Sequence, residues 1–211
     1  MLADFEQQPN NILIKKSLLT IVFFLLFYTL TANSQEQSHM TFMGIPLTGT
    51  ITQFQAKLAA KGVAYDATTS RSLDVGTRFF KGTFSGKKAS IYVYYNEKSK
   101  VVYRAKAVIS STDNDVFENN YNYFVNMLSQ KYYDAEVNKG TQNNHETVTY
   151  LVPNDETALY KYLGTIDVYR TSEYPYQYLH IDYTDTVNRI KNNTRNMGFV
   201  IIRGHKYGFN T

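Results

Sequence analysis

The 211-residue sequence contains no cysteine and no tryptophan. Without cysteine the chain has no disulfide, no thiol nucleophile, no thiolate metal ligand and no cysteine that could carry a lipid anchor. Its stability must therefore come from the burial of apolar side chains. Hydrophobic residues make up 43% of the chain and charged residues 19%, which is typical of a globular protein with a packed core.

The sequence also lacks a hydrophobic run long enough to span a bilayer. The apolar segment over residues 18–30 has 13 residues, whereas a membrane-spanning helix needs about 20. Lys15 and Lys16 precede this segment, and Ala32 and Ser34 follow it in a small-residue pattern typical of signal-peptide cleavage sites. We therefore expect residues 1–34 to form an N-terminal extension and signal peptide. The protein would then be exported and be periplasmic, outer-membrane-associated or extracellular.

The charge distribution lacks the basic face of a nucleic-acid-binding protein. The formal net charge is +4, but residues 186–211 contain five basic residues and no acidic residue, so the body of the chain is close to neutral. A nucleic-acid-binding domain usually carries its basic residues across one face. We predict no nucleic-acid partner, a single α+β domain over residues 35–190, and a basic C-terminal tail over residues 191–211. Membrane contact is expected only through the signal peptide.

The motifs of common catalytic and metal sites are absent from the sequence. The histidines form no His-x-x-x-His pair, and neither a nucleophile elbow nor a phosphate-binding glycine loop appears. The stretch from Asp113 to Asp115 lacks the Gly and Glu of a calcium-binding loop and is typical of a helix N-terminus. His180 lies inside a predicted strand, which favours a structural histidine with satisfied nitrogens. We assign no catalytic, metal-binding or cofactor-binding residue.

Two helices are predicted from apolar spacing and end signals. In residues 50–63, Thr50 and Gln53 match a capping box, and Gly62 suits a left-handed C-terminal cap. A second helix is expected to open at Asp115. The apolar stripe of the first helix is Ile51, Phe54 and Leu58, and that of the second is Phe117, Tyr121, Phe124, Leu128 and Tyr132. Asp185 is expected to cap a helical segment from Val187 onward.

Six segments have the composition of β-strands. They are residues 76–84, 89–95, 101–110, 146–152, 160–169 and 176–183. The order of one helix followed by three strands occurs twice, in residues 42–110 and 115–184, which suggests a tandem αβββ repeat. We predict an α+β fold in which an antiparallel sheet of about six strands has two helices on one face. The opposite face of such a sheet would stay open.

The segment that leads into the first helix reads Gly44-Ile45-Pro46-Leu47-Thr48-Gly49-Thr50-Ile51. It resembles the opening of a group of small exported proteins of Bacteroides-type bacteria, and the resemblance covers residues 42–62 most specifically. This resemblance implies export and a related fold, and it implies no particular activity. The doubled helix-and-sheet layout is also similar to the β-lactamase inhibitor protein, an analogy of fold that carries no function.

Tyrosine is in unusual supply, with 19 residues. Alternation along the strands places tyrosines in pairs on one face, and the candidate binding face comprises Tyr92, Tyr94, Tyr160, Tyr162, Tyr176 and Tyr178. Such rings either complete a half-exposed sheet or form a recognition surface.

The tyrosine supply and the missing catalytic motifs together favour a non-catalytic binding or interaction module. Its ligand would be a protein or a carbohydrate, and it would need no cofactor. Two alternatives stay open. One is a hydrolase that acts on envelope or polysaccharide polymers through Asp and Glu carboxylates. The other is a protein whose apolar segment is never cleaved and anchors it in the membrane.

Overall fold

The computed structural model describes residues 38–142, 144–156 and 158–193. The expected signal peptide and most of the basic tail lie outside these residues. The described strands are β1 (Thr41–Phe42), β2 (Ile45–Pro46), β3 (Ala64–Tyr65), β4 (Thr77–Phe84), β5 (Lys87–Tyr95), β6 (Val102–Ser111), β7 (Glu136–Gln142), β8 (His145–Pro153), β9 (Tyr162–Glu173) and β10 (Tyr176–Asp185). The described helices are α1 (Ile51–Ala59), α2 (Ala67–Arg71), α3 (Asn114–Lys131) and α4 (Thr186–Asn193).

Eight of these strands form one antiparallel sheet in the order β3-β4-β5-β6-β10-β9-β8-β7. The strands that precede α3 make one half of the sheet, and the strands that follow it make the other. The halves join where β6 pairs with β10, with Lys106 opposite Asp182 and Ala107 opposite Ile181. β1 and β2 form a separate two-stranded sheet before α1.

The prediction of about six strands with two helices on one face, arranged as an αβββ repeat, is wrong. The sheet has eight strands, the described residues form four helices of which only α3 is long, and the described part of the chain is mostly β. The strands that the prediction lacks in this sheet are β3 and β7. β3 has only two residues, and all seven residues of β7 are exposed, so neither carries a recognisable apolar alternation.

The core lies between one face of the large sheet and the helices α1 and α3. Because side chains alternate along a strand, every second residue of the central strands enters this core. The sheet contributes Ile91, Val93, Ala105, Ala107, Val148, Tyr150, Ile166, Val168, Leu179 and Ile181, and the helices contribute Ile51, Phe54, Leu58, Phe117, Phe124 and Leu128. Among the described residues, side chains on the opposite face of the central strands are mostly partly exposed, among them Lys106, Tyr169 and Tyr178, and we call this side the open face.

The end signals of α1 are confirmed. The Gln53 N–H donates to Thr50 Oγ1 at 3.3 Å, and the Thr50 N–H donates to Gln53 Oε1 at 2.9 Å. At the other end, Gly62 has a φ of 77° and the Val63 N–H donates to the Leu58 carbonyl at 3.1 Å. This is the Schellman closure that the sequence predicts.

Carboxylates begin the other three described helices, and that of α2 is Asp66, whose Oδ1 accepts from the Thr69 N–H at 2.9 Å. The cap of α3 is Asp113 and not Asp115, because the Val116 N–H donates to Asp113 Oδ1 at 3.0 Å. The expected role of Asp185 is confirmed, since the Asn188 N–H donates to Asp185 Oδ1 at 2.9 Å at the start of α4. Each side-chain oxygen satisfies an N–H group that has no partner within its own helix.

The buried Asp185 carboxylate also holds the start of the described chain. Its Oδ2 accepts hydrogen bonds from the Met40 N–H at 2.9 Å and lies 3.0 Å from His39 Nδ1. Asn188 extends this connection, because its Nδ2 donates to the Leu47 carbonyl at 2.8 Å. The N-terminal segment, the end of β10 and α4 are therefore joined by one buried polar network.

No helix among the described residues is both long enough and apolar enough to cross a membrane. The apolar segment over residues 18–30 lies outside these residues.

Candidate functional site

The open face of the sheet carries a groove of about 560 Å³. Its lining residues come from β6, β7, β8, β9 and β10, together with Arg189 of α4. Most of the lining side chains are polar or aromatic, and many of them are ionisable. They are Tyr103, Arg104, Gln142, His145, Thr147, Asp167, Tyr169, Thr171, His180, Asp182, Thr184 and Arg189.

A bulge in β6 directs two consecutive side chains into the groove. Tyr94 of β5 lies opposite Arg104, but the next residue, Tyr95, lies opposite Val102. Tyr103 is therefore an extra residue on β6, and at such a bulge two residues face one on the partner strand. Both Tyr103 and Arg104 consequently line the groove.

Arg104 and Asp182 form a bidentate ion pair across β6 and β10. The Arg104 Nε–H donates to Asp182 Oδ1 at 2.8 Å, and a second guanidinium N–H donates to Asp182 Oδ2. The Asp182 side chain is only 3% exposed. These hydrogen bonds raise the pKa of Arg104 above its ordinary value, so the guanidinium is charged at any physiological pH.

The guanidinium of Arg104 also lies over the ring of Tyr94, with 4.5 Å between Cζ and the ring centroid. This distance is within the range of a cation–π contact. Burial raises the pKa of the Tyr94 hydroxyl to about 12. Arg104 is therefore fixed by a carboxylate through its N–H groups and by an aromatic ring against its plane.

A second carboxyl group, that of Asp167 on β9, lies on the strand next to Asp182. The two residues are Cα partners in the β10–β9 register, and Thr149 Oγ1 donates to Asp167 Oδ1 at 2.6 Å. Burial raises the pKa of Asp167, and the nearby charge of Asp182 acts in the same direction. The two carboxyl groups therefore have different surroundings: an arginine holds one, and a hydroxyl holds the other.

Three aromatic rings from β8, β9 and β10 are stacked along the groove, and we call them the ring stack: His145, Tyr169 and His180. The Tyr169 ring is parallel to the His180 ring within 3°, with 4.4 Å between their centroids. The His145 ring lies on the other side of Tyr169 at 6.0 Å. Both faces of the Tyr169 ring are thus covered.

His180 has one nitrogen with a partner and one without. Nε2 lies 2.9 Å from Thr171 Oγ1, whereas Nδ1 is buried and has no hydrogen-bond partner among the described residues. Burial lowers the pKa of His180 to about 4, and the charges of Lys106 and His145 act in the same direction. The imidazole is therefore neutral at neutral pH. The expectation that His180 is a structural histidine whose nitrogens both have partners is therefore wrong for Nδ1.

Four of the six predicted binding tyrosines lie on the open face. Lys106 Nζ lies 5.2 Å from the ring centroid of Tyr92, and Tyr94 stacks on Arg104 beside it. Tyr178 joins them through the β6–β10 pairing, and its ring centroid is 6.2 Å from that of Tyr176.

The other two predicted tyrosines lie elsewhere. The Tyr162 hydroxyl donates to Glu136 Oε2 of β7 at 2.6 Å, and Tyr160 precedes β9. None of the six predicted tyrosines lines the groove, whose own tyrosines are Tyr103 and Tyr169.

The sequence interpretation did not assign the ionisable residues that form the floor of the groove. A local signal for them exists in β10, where His180, Asp182 and Thr184 alternate with buried apolar Ile181 and Tyr183. Such alternation marks a strand with one apolar face and one polar face. Ionisable residues on the polar face of a central strand would have indicated this region.

No group of three or more His, Asp or Glu residues in the described ranges is placed to hold a metal ion. Comparisons of the chain with protein-family models, with curated proteins and with solved structures give no match. The function of the protein must therefore be argued from the groove and its residues.

Proposed function

We propose that this protein is an exported, non-catalytic binding module that uses the open, tyrosine-rich face of its sheet to hold a protein or carbohydrate ligand. The observation that carries this proposal is the groove on that face. Its volume of about 560 Å³ falls within the roughly 300–1,000 Å³ of small-molecule sites. Its position above a continuous sheet places the lining side chains on a rigid floor.

The state of the ionisable groups supports binding rather than proton transfer. Both oxygens of Asp182 accept hydrogen bonds from Arg104. His180 has a pKa of about 4, whereas an efficient general base has a pKa near the working pH. These groups are held in fixed positions before a ligand arrives, which reduces the entropy that binding would otherwise cost.

Export is the second part of the proposal and rests on the sequence alone. The basic pair, the short apolar segment and the small-residue cleavage pattern support passage through a membrane. We expect a periplasmic, outer-membrane-associated or extracellular location, with membrane contact only through the signal peptide and no nucleic-acid partner.

The binding proposal can be tested with two tyrosine variants. The double variant Tyr92→Ser/Tyr178→Ser removes two rings from the open face, and Tyr133→Ser removes one that is 86% exposed and lies outside it. Soluble glycans and peptides would be screened by calorimetry and by NMR chemical shifts. Because Tyr92 and Tyr178 lie beside the groove lining and not in it, we expect the double variant to weaken at least about tenfold the binding of a ligand that extends from the groove over these rings, and the control to leave it unchanged. Equal affinity in both variants would count against this face.

A second candidate function is a hydrolase that acts on envelope or polysaccharide polymers. Asp167, whose pKa burial raises, and the ion-paired Asp182 lie on neighbouring strands, and carboxyl groups in unlike surroundings are the basis of glycosidase catalysis. The test is release of reducing ends from a panel of polysaccharides. Turnover that falls at least about a hundredfold in Asp167→Asn would favour the hydrolase. Binding of a polysaccharide without turnover would instead support the binding module.

A further inference from the structure

We propose that the ligand of the groove is a neutral carbohydrate of about one or two sugar rings, held through its hydroxyl groups. This inference rests on the proposed binding function and names the ligand class for the same site. Three features support it: the balance of charges on the floor, the polar lining, and the size of the groove.

The charges on the groove floor favour a ligand without net charge. Arg104 and Asp182 neutralise each other, and Asp167 and Arg189 contribute one further group of each sign. An anionic ligand would approach two carboxyl groups, and a cationic ligand would approach two guanidinium groups. A hydroxyl donates to the carboxylates and accepts from the guanidinium groups, so a neutral polyhydroxylated ligand suits both.

The rest of the lining extends this pattern. Thr147, Thr171 and Thr184 present hydroxyls and Gln142 an amide, and all of these groups can both donate and accept. The groove volume of about 560 Å³ lies within the roughly 300–1,000 Å³ of small-molecule sites. These dimensions match a small glycan.

The experiment measures binding of matched neutral and acidic sugars to the exported protein. The probes are disaccharides that contain glucose, galactose, mannose or N-acetylglucosamine, together with glucuronic and galacturonic acid as acidic counterparts. Saturation-transfer NMR and calorimetry would report affinity. We expect at least one neutral sugar to bind, and the uronic acid with the same ring stereochemistry to bind at least about tenfold more weakly because of the carboxyl groups on the floor.

Two variants connect that affinity to the groove. His180→Phe keeps a ring stacked on Tyr169 but removes both imidazole nitrogens, including the Nε2 that contacts Thr171 Oγ1 in the groove lining. Neutral sugar binding should therefore weaken about fivefold to tenfold, the equivalent of one hydrogen bond. Asp167→Asn removes a negative charge, so the preference for neutral over acidic sugar should shrink. The matched control is Glu146→Gln, an exposed carboxylate that lies on β8 outside the groove, and it should change neither. If His180→Phe does not fold, Asp167→Asn carries the test.

The outcomes separate this inference from the proposed function. Equal or tighter binding of the uronic acids, or neutral sugar binding that neither groove variant changes, would overturn the carbohydrate inference. Binding of a peptide but of no sugar, with loss in the Tyr92→Ser/Tyr178→Ser variant, would overturn it and leave the binding module. Absence of binding to every sugar and every peptide in the screen would overturn both.

Discussion

At the scale of single residues, the polar groups of the open face are held by specific partners from neighbouring strands. Asp182 is held by Arg104, and Asp167 by Thr149. His180 is the exception, because only one of its nitrogens has a partner among the described residues. The energetic consequences of these arrangements can be measured residue by residue.

Acid should destabilise the protein through His180. Its pKa is about 4 in the folded protein against an ordinary value of 6.5, so between these values the unfolded chain binds more protons. The stability that neutral His180 provides is complete above pH 6.5 and is lost as the pH falls towards 4. His180→Phe lacks this component and shares the other titrating groups. Between pH 7 and pH 4.5, the melting temperature of the wild type, measured by circular dichroism, should therefore fall more than that of His180→Phe. A constant difference would contradict this.

Replacement of Asp185 by Asn should destabilise the fold. The buried carboxylate receives hydrogen bonds from the Met40 and Asn188 N–H groups and contacts His39. An amide supplies one acceptor oxygen, so at least one buried donor would lose its partner, at a cost of about 1–3 kcal/mol. Urea unfolding measures this loss. Asp134→Asn changes an exposed carboxylate and should stay within about 0.5 kcal/mol of wild type; a similar loss in both variants would refute the role given to Asp185.

At the scale of elements, β9 and β10 require glycine at one position. A Cβ at Gly164 would run into the backbone carbonyl of Thr184 and the side chain of Met40, whereas a Cβ at Gly140 of β7 would meet nothing within 4 Å. Gly164→Ala should therefore lower the free energy of unfolding by about 1–3 kcal/mol. Gly140→Ala should be neutral or slightly stabilising. The two variants differ only in their surroundings, and equal unfolding midpoints in urea would argue against the close approach.

The capping box of α1 should also contribute measurably. Thr50→Ala removes the oxygen that accepts from the Gln53 N–H, at an expected cost of about 1 kcal/mol. Thr50→Ser keeps this oxygen and should lose much less. The free energies of unfolding of the wild type and both variants would be compared by chemical denaturation. An alanine variant as stable as the serine variant would mean that the cap does not contribute to stability.

Local sequence patterns predict those elements whose own residues specify them. Thr50, Gln53 and Gly62 fix both ends of α1, and the strands β4 and β5 follow from aromatic and β-branched residues on either side of a Gly turn. Local patterns do not predict β7, because a fully exposed strand has no alternation of apolar residues. Tertiary pairing with β8 stabilises it instead.

The groove depends on register between distant strands, which local patterns do not encode. Arg104 and Asp182 are separated by 78 residues, and they meet only because β6 pairs with β10. The sequence does indicate that Tyr92 and Tyr94 share a face, since alternation within one strand decides this. It does not indicate that Tyr178 joins them or that Tyr162 contacts Glu136 of β7 instead.

At the scale of the whole molecule, the expected removal of the signal peptide would leave the contacts of Asp185 intact. Cleavage after Ser34 would keep His39 and Met40, which bind Asp185. Mass spectrometry of the exported protein should find Gln35 as the first residue. A chain that starts at Phe42 should be less stable by at least about 3 kcal/mol, because Asp185 loses two partners and the buried Met40 side chain leaves the core. Exported protein that retains residues 18–30 would support the uncleaved membrane anchor.

Among the described residues, the two edge strands of the large sheet differ in form, but both disfavour pairing with a strand of another molecule. At one end β3 offers only two residues, and at the other β7 exposes all seven of its side chains, among them Glu136 and Lys139. A short edge and a hydrophilic, charged edge are both poor templates for another β-strand. Neighbouring copies of this cysteine-free chain should therefore gain little by extending the sheet from one molecule to the next, even when they are crowded together.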